Sequence, residues 1–201
     1  MEALKIVLLG DSGVGKTSII NRSSFNKFND RVPSTLGGMV VAKTVTIPEE
    51  NIEVKFCLWD TAGQERYHSL APKYYKDADI VFIVYDITNY ESFKGAKTWL
   101  EEVKNNSKKD VRILLLGNKS DRFYEEKVTL ETAQEFANAN NINLNLVSAK
   151  DDFGITMIFE SLAREFASLM KRKVVKEAGS KSGSETIHIK SNDKNPKKPC
   201  C

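Results

Sequence analysis

The sequence predicts an α/β fold with a mostly parallel six-stranded sheet, one antiparallel edge strand and helices on both faces. Short aliphatic runs, typical of strands buried on both faces, alternate along the chain with longer segments of helical periodicity. Strands and helices that alternate in this way form a parallel sheet covered by its helices. The aliphatic runs are residues 4–9, 80–85, 111–116 and 144–147, and the helical segments are residues 17–25, 90–105, 130–140 and 155–172.

The antiparallel edge is predicted from two further strands, residues 40–47 and 52–59. Only Pro48-Glu49-Glu50-Asn51 separates them, and so short a connection makes a hairpin. Along the second strand, apolar residues alternate with a face that we interpret as polar, and Trp59 falls on that face. Trp59 is therefore expected either to lie under a neighbouring loop or to form part of a surface that contacts a partner.

Length and composition favour one globular domain, residues 1–172, followed by a tail, residues 173–201. The hydrophobic fraction of 41% and the charged fraction of 28% are those of soluble globular proteins. No stretch approaches the roughly 18 apolar residues of a membrane-spanning helix, and no signal-peptide pattern is present, so a cytosolic protein is expected. The net charge of +3 comes from the basic tail, which is expected to be disordered. The remainder is mildly acidic, and nucleic-acid binding is not expected.

Residues 10–17 read Gly-Asp-Ser-Gly-Val-Gly-Lys-Thr, between an aliphatic run and a helical segment. Gly, four residues and then Gly-Lys-Thr at a strand-to-helix turn is the pattern of a phosphate-binding P-loop. Its backbone N–H groups and the helix N-terminus attract an anion. Lys16 is predicted to reach the β- and γ-phosphates as a catalytic residue, and the Thr17 hydroxyl to ligate Mg²⁺. The predicted phosphate-binding residues are Ser12, Gly13, Val14, Gly15, Lys16, Thr17 and Ser18.

A second motif, Asp60-Thr61-Ala62-Gly63-Gln64, follows the second strand of the hairpin. In a P-loop protein, an Asp at this point suits a carboxylate at the magnesium ion, so Asp60 is assigned to the metal site. Gly63 lets its N–H approach a γ-phosphate, and Gln64 beside it can orient an attacking water as a catalytic residue.

The base is predicted from Asn118-Lys119-Ser120-Asp121, which follows the strand at residues 111–116. The Asp121 carboxylate can accept two hydrogen bonds from the N1–H and N2–H₂ groups of guanine, which adenine does not offer. Asn118 can brace the loop, and the aliphatic stem of Lys119 can lie across the ring. After the last strand, Ser148-Ala149-Lys150 places the Ala149 N–H where it can reach the guanine O6.

Thr35 is the remaining candidate ligand, in a polar, glycine-containing segment between the P-loop and Asp60. Such a segment is expected to be a mobile loop. A loop threonine that meets Mg²⁺ only when the γ-phosphate is present would make hydrolysis an order-to-disorder switch, which places Thr35 among the catalytic and metal-binding residues.

Together these motifs resemble a small GTPase of the Ras superfamily, and most closely a Rab. The resemblance covers about residues 4–170, and the stretch Trp59-Asp60-Thr61-Ala62-Gly63-Gln64-Glu65-Arg66-Tyr67 is typical of Rabs. Residues 68–75 are similar to endosomal members. The resemblance implies a P-loop NTPase G domain, bound GTP or GDP with Mg²⁺, and Phe28 stacked on the guanine. It also implies slow hydrolysis without an activating protein, because nothing in the sequence resembles an arginine finger supplied by the chain itself.

The terminal Cys200-Cys201 pair after a basic tail is also typical of Rabs, and by that resemblance each cysteine carries a geranylgeranyl group. Two lipid chains with basic residues anchor a protein stably to a membrane. The implied partners are an exchange factor, an activating protein, a prenylation escort, a GDP-dissociation inhibitor and effectors, acting on a monomeric G domain. The implied location is the cytoplasmic face of an intracellular membrane, endosomal by similarity, with cycling through the cytosol and a role in vesicle trafficking.

One segment departs from the Rab pattern. Rabs usually have Ile-Gly-x-x-Phe after the switch threonine, whereas this chain has Leu36-Gly37-Gly38-Met39-Val40. With Val40 in place of the aromatic residue, the predicted effector-contacting triad of Val40, Trp59 and Tyr74 is smaller and less aromatic.

Two other functions are compatible with parts of the sequence. A nucleotide-loaded membrane scaffold that hydrolyses GTP poorly would keep the same binding motifs. A P-loop kinase or ATPase would keep the P-loop alone, but the segment from Asn118 to Asp121 argues against it.

Overall fold

The computed structural model describes residues 3–33, 35, 38–61 and 71–179. The strands are β1 (Leu4–Leu9), β2 (Met39–Ile47), β3 (Ile52–Asp60), β4 (Ile80–Asp86), β5 (Arg112–Asn118) and β6 (Asn143–Leu146). The helices are α1 (Lys16–Phe25), α2 (Ala71–Tyr75), α3 (Tyr90–Asn106), α4 (Leu130–Asn140) and α5 (Ile155–Gly179). Two 3₁₀ turns, Pro48–Glu50 and Ser120–Glu125, lie in the connections.

The six strands form one sheet in the order β2-β3-β1-β4-β5-β6. Only the pair β2–β3 is antiparallel, and every other neighbouring pair is parallel. The hairpin closes with Ile47 opposite Ile52, and Asn51 takes the left-handed conformation with φ 49°. Asparagine tolerates that conformation better than most residues. The predicted fold class, including the antiparallel edge strand, is confirmed.

Each face of the sheet is covered by a hydrophobic core. Alternate residues of β1 point to opposite faces: Ile6 belongs to the core that contains residues of α1 and α5, and Val7 to the core that contains residues of α3 and α4. Because β1 lies at the centre of the sheet and is buried on both faces, its sequence is aliphatic at almost every position.

One face of β3 differs from its sequence interpretation. Glu53 and Lys55 are exposed, as expected of a polar face. Farther along the same face, Cys57 is buried and Trp59 is half-buried against the α3/α4 core. Tyr74 of α2 packs against that same core, so the end of β3 is covered by a helix that the sequence did not predict.

Helix α5 is longer than predicted. Its expected end near Arg172 is wrong, because the helix continues to Gly179. Residues 173–178 contain neither glycine nor proline, so no helix-breaking residue lies among them. The division of the chain into a domain and a tail stays a prediction, and the residues after Gly179 lie outside the described part.

None of the helices among the described residues is both long and apolar enough to cross a bilayer. The five parallel strands all end at one edge of the sheet, so the segments that follow them meet there. In open α/β sheets this edge is where ligands bind.

Candidate nucleotide-binding site

The loop between β1 and α1 is packed closely against its neighbours. Gly10 has φ 142°, and a Cβ atom on it would lie 2.2 Å from the carbonyl oxygen of Val84. Gly15 has φ 98°, and a Cβ atom there would lie 2.2 Å from the Asn118 side-chain nitrogen. Neither position accommodates a side chain, so glycine lets this loop turn sharply beside the sheet. Helix α1 begins at the next residue, with no acidic residue in its first turn to compete for an anion.

Lys16 is held inside this loop. Its side chain is only 5% exposed, and its Nζ donates to the carbonyl oxygens of Gly10 at 2.6 Å and Asp11 at 2.9 Å. Burial lowers the pKa of the Lys16 ammonium to about 8, although the carboxylates of Asp60 and Asp11 act in the opposite direction. A phosphate group in the loop would supply the negative charge that favours the protonated form.

Three oxygen-bearing side chains meet next to Lys16. The hydroxyls of Thr17 and Thr35 lie 2.9 Å apart, and the Thr17 hydroxyl donates to Asp60 Oδ2 at 2.6 Å. The Thr35 hydroxyl lies 3.3 Å from the same carboxylate oxygen. Asp60 is 1% exposed, and its other oxygen, Oδ1, has no hydrogen-bond partner among the described residues. Burial raises the pKa of the Asp60 carboxyl, against the hydrogen bond from Thr17 and the charge of Lys16.

This cluster fits a magnesium ion. Mg²⁺ prefers oxygen ligands and is usually held by one or two protein groups together with phosphates and waters. The cluster offers two hydroxyls and one carboxylate, and one oxygen of that carboxylate is buried and lacks a partner among the described residues. No group of three or more His, Cys, Asp or Glu side chains suited to a metal occurs in the part of the chain that the structure describes. A metal at this position would be held by the Thr17 and Thr35 hydroxyls and the Asp60 carboxylate, together with nucleotide phosphates.

Asn118, at the end of β5, joins the P-loop to the loop after β6. Its Nδ2 donates to the Val14 carbonyl oxygen at 2.8 Å, and its Oδ1 accepts from the Ala149 N–H at 3.3 Å. The residue is only 2% exposed, so both contacts are shielded from water. The structure thus gives Asn118 the bracing contacts expected from the sequence.

Asp121 and Lys119 are fixed by neighbours on either side. Asp121 Oδ1 accepts from the Ser148 hydroxyl at 2.7 Å, which orients the carboxylate. Lys119 Nζ pairs with Asp86 Oδ2 at 2.7 Å, so the charged end of Lys119 is held at the end of β4. Asp86 was not identified from the sequence as a partner of Lys119. Its position at the end of β4, the strand next to β5, is the signal that could have identified it. Asp86 lies opposite Asn118 in the β4–β5 register.

Most of the predicted nucleotide-binding residues line one cavity of about 390 Å³, and Asp60 is not among the lining residues. The predicted residues that line it are Ser12, Gly13, Gly15, Lys16, Thr17, Ser18, Phe28, Thr35, Asn118, Lys119, Asp121, Ala149 and Lys150. Val14 and Ser148 are buried beside the cavity. The Val14 carbonyl oxygen accepts a hydrogen bond from Asn118, and the Ser148 hydroxyl donates one to Asp121. The lining residues that the sequence reasoning missed are Asn29, Asp30, Val32, Pro33 and Arg122, which carry no motif of their own and are found only by their closeness in sequence to Phe28, Thr35 and Asp121.

Four predicted site residues cannot be placed. Gly63 and Gln64 fall within residues 62–70, and Cys200 and Cys201 fall after Gly179, so all four lie outside the described residues. Their assigned roles stay predictions.

Comparison with known proteins identifies the family. A sequence model of the Ras family matches residues 5–168. The Ras-related protein RabC of Dictyostelium discoideum is 40% identical over 171 residues, which cover 85% of this chain and 87% of the relative. The chain is a Rab-family small GTPase of the Ras superfamily. Its α/β fold is that of a P-loop NTPase G domain, and its reaction is the hydrolysis of GTP to GDP.

The predicted effector-contacting residues of this Rab-family GTPase lie close together. Val40 is directly opposite Trp59 in the antiparallel pair β2–β3, so the two side chains share a face of the sheet. The Trp59 and Tyr74 ring centroids are 6.0 Å apart, and Lys5 Nζ lies 4.6 Å from the Trp59 ring centroid. The three residues therefore form one half-buried surface, and their contact with effectors stays a prediction.

Proposed function

We propose that this GTPase is a membrane switch that binds GTP and GDP with Mg²⁺, hydrolyses GTP and recruits effectors in its GTP state to direct vesicle trafficking. The contact between Thr17, Thr35 and Asp60 is the observation that carries the proposal. Thr35 comes from the segment before β2, yet its hydroxyl reaches a residue of α1 and a residue at the end of β3. If Thr17, Thr35 and Asp60 hold a magnesium ion beside the phosphates, the position of the segment that carries Thr35 would depend on whether the γ-phosphate is present.

In this proposal Lys16 and the N–H groups of residues 12–18 hold the phosphates, and Phe28 stacks on the base. Asp121 recognises the N1–H and N2–H₂ groups of guanine. The Ala149 N–H is 3.3 Å from its present acceptor, a long contact, so it can also serve the guanine O6. Thr17, Thr35 and Asp60 would hold Mg²⁺, which would supply positive charge beside the phosphates.

Gln64 is assigned the role of orienting the attacking water. Replacing Gln64 with Leu is expected to leave GDP and GTP binding intact and to suppress single-turnover GTP hydrolysis. Gln134→Leu is the matched control, since Gln134 is exposed on α4, and it should hydrolyse GTP at the normal rate. Normal turnover in the Gln64 variant would refute the role given to Gln64.

A partner protein is expected to supply the arginine that stabilises the transition state of GTP hydrolysis. An activating protein that inserts an arginine should accelerate hydrolysis by about 10³-fold or more. The alternative, a membrane scaffold that hydrolyses poorly, predicts little hydrolysis with or without such a protein. Exchange factors would reload GTP, and effectors would bind the surface of Val40, Trp59 and Tyr74.

The membrane location rests on the end of the chain. Cys200 and Cys201 are proposed to carry two geranylgeranyl groups, attached with the help of a prenylation escort. A GDP-dissociation inhibitor would return the protein to the cytosol, and endosomes are the proposed membrane. A tagged full-length protein should associate with membranes, and deletion of Cys200 and Cys201 should move it to the cytosol. Unchanged membrane association after the deletion would exclude the lipid anchor.

A further inference from the structure

We infer that Arg22 is a positioning residue that fastens the guanine-recognition loop to α1 and thereby controls how long the nucleotide stays bound. Arg22 lies near the end of α1, and its partners lie in residues 149–150, more than one hundred residues later in the chain. The inference rests on the proposed function, because it concerns the same base pocket.

The guanidinium group of Arg22 contacts two consecutive carbonyl groups of that loop. Its Nε donates to the Ala149 carbonyl oxygen at 2.8 Å, and its Nη2 donates to the Lys150 carbonyl oxygen at 2.7 Å. A planar fork that binds two adjacent carbonyls fixes the orientation of both peptide groups. The Ala149 N–H, proposed to meet the guanine O6, belongs to the residue whose carbonyl is held in this way.

The same guanidinium also contacts the segment that leads to Phe28. Its Nη1 donates to the Asn26 side-chain oxygen at 2.7 Å. Asn26 caps α1 in the left-handed conformation with φ 52°, and its own N–H donates to the Arg22 carbonyl oxygen at 3.0 Å. Phe28 follows two residues later and lines the cavity. Arg22 therefore connects the segment that leads to Phe28 with the loop that carries Ala149 and Lys150.

A lysine cannot replace this arrangement. Arg22 uses donors at three different nitrogen atoms in fixed directions, whereas an ammonium group is a single flexible point charge. Arg22→Lys keeps the positive charge but loses the simultaneous contacts. Arg22→Met keeps much of the length of the side chain and removes every donor. Comparing the two variants separates the charge of Arg22 from the geometry of its hydrogen bonds.

The experiment measures the dissociation rate of GDP and the affinities for GDP and 6-thio-GDP, with Mg²⁺ present and each protein purified with GDP bound. The second nucleotide keeps the N1–H and N2–H₂ groups but replaces O6 with sulfur, a weaker acceptor. Arg22→Met is expected to raise the GDP dissociation rate about tenfold, as for the loss of roughly 1.4 kcal/mol. Arg22→Lys should show a smaller rise. The control is Arg164→Met, since Arg164 pairs with Glu49 and does not line the cavity.

Base recognition gives the second readout. The ratio of the affinity for GDP to the affinity for 6-thio-GDP should be smaller in Arg22→Met than in the wild type, because the Ala149 N–H is no longer held in place. Amide hydrogen exchange at residues 148–151 should become faster in the same variant. A GDP dissociation rate equal to that of the wild type would overturn the inference. The inference would also be overturned if Arg22→Met lost the same affinity for GDP as for 6-thio-GDP. The same holds if the wild-type protein bound the two nucleotides equally well.

Failure of the proposed function gives a different result. A wild-type protein that binds ADP as tightly as GDP would refute the proposed guanine site itself. Guanine selectivity in the wild type, together with unchanged dissociation in both Arg22 variants, would overturn the inference about Arg22 alone.

Discussion

The side chain of Asn118 connects the two ends of the candidate site. One end of its amide group holds the P-loop at Val14, and the other end meets the base loop at Ala149. Gly15 leaves room for this contact, since a Cβ atom there would collide with the Asn118 amide nitrogen. Gly15 belongs to the phosphate-binding motif, yet the contact made by Asn118 of the base-recognition motif also requires it. A substitution at Gly15 would therefore disturb both motifs.

The site residues that could be predicted from the sequence belong to short motifs, in which the residue types and their spacing indicate a binding role. Lys16, Thr17, Asp60 and Asp121 fall in this class, and all four lie in or beside the cavity region. Arg22 could not be predicted, because its partners are backbone carbonyl groups that carry no residue-type signal.

The choice of base is tested at Asp121. Asp121→Asn is expected to lower the affinity for GDP by at least about tenfold, because an amide cannot accept from both guanine donors as a carboxylate does. Competition binding with GDP and ADP measures the effect. Asp110→Asn, at an exposed aspartate before β5, is the control and should bind GDP normally. Unchanged GDP binding in the Asp121 variant would contradict the assignment of the base pocket.

Tyr85 offers a test that concerns stability alone. Its side chain is fully buried at the end of β4, and its hydroxyl has no hydrogen-bond partner among the described residues. Tyr85→Phe removes that hydroxyl and is expected to increase the free energy of unfolding at neutral pH by about 1 kcal/mol. Urea denaturation provides the measurement. A loss of stability of similar size would show that the hydroxyl has a stabilising partner.

The pH dependence of the same variant has a definite sign. Burial raises the pKa of the Tyr85 hydroxyl above its ordinary value of 10 in the folded protein. Above pH 10 an unfolded tyrosine ionises while the folded one stays neutral, so the unfolded state gains stability as the pH rises. Wild-type stability should therefore fall more steeply than that of Tyr85→Phe in this range, and parallel curves would contradict the assignment.

At the scale of elements, prediction succeeded where the hydrophobic pattern is long and regular. The aliphatic strands and the hairpin follow from such patterns, and their pairing in the sheet confirms them. The part of helix α2 that the structure describes has five residues, too few for a periodic signal. The end of α5 was misplaced because the residues from 173 onward were interpreted as a basic, disordered tail, although nothing in residues 173–178 interrupts a helix.

The start of α3 depends on Asn89. The Asn89 side chain accepts from the backbone N–H groups of Glu91 at 3.0 Å and Ser92 at 3.4 Å, which otherwise lack partners at a helix start. Asn89→Ala is expected to lower the free energy of unfolding by about 1 kcal/mol without changing GDP affinity. Asn89→Asp, another good capping residue, is the control and should retain most of the stability. Equal losses in both variants would argue against capping.

Across the whole molecule, the candidate site belongs to no single element. The P-loop follows β1, Asp60 ends β3, Asn118 ends β5, and the base loop follows β6. Hydrogen bonds such as that from Asn118 to Val14 join these segments across the carboxyl edge of the sheet. A nucleotide in the cavity would contact all of them together, so its binding should stabilise the entire sheet.

This linkage predicts how stability depends on ligands. GDP with Mg²⁺ at one hundred times its dissociation constant should add about 2.7 kcal/mol to the free energy of unfolding, and ADP at the same concentration much less. Thermal unfolding is expected to occur at the highest temperature with GDP and Mg²⁺, at a lower one with GDP and EDTA, and at the lowest without nucleotide. In Thr17→Ala, EDTA should make little difference, because the Thr17 hydroxyl that supports the ion is gone. An EDTA effect of wild-type size in that variant would mean that the ion is not bound at Thr17, and an equal shift with ADP would mean that the cavity does not select guanine.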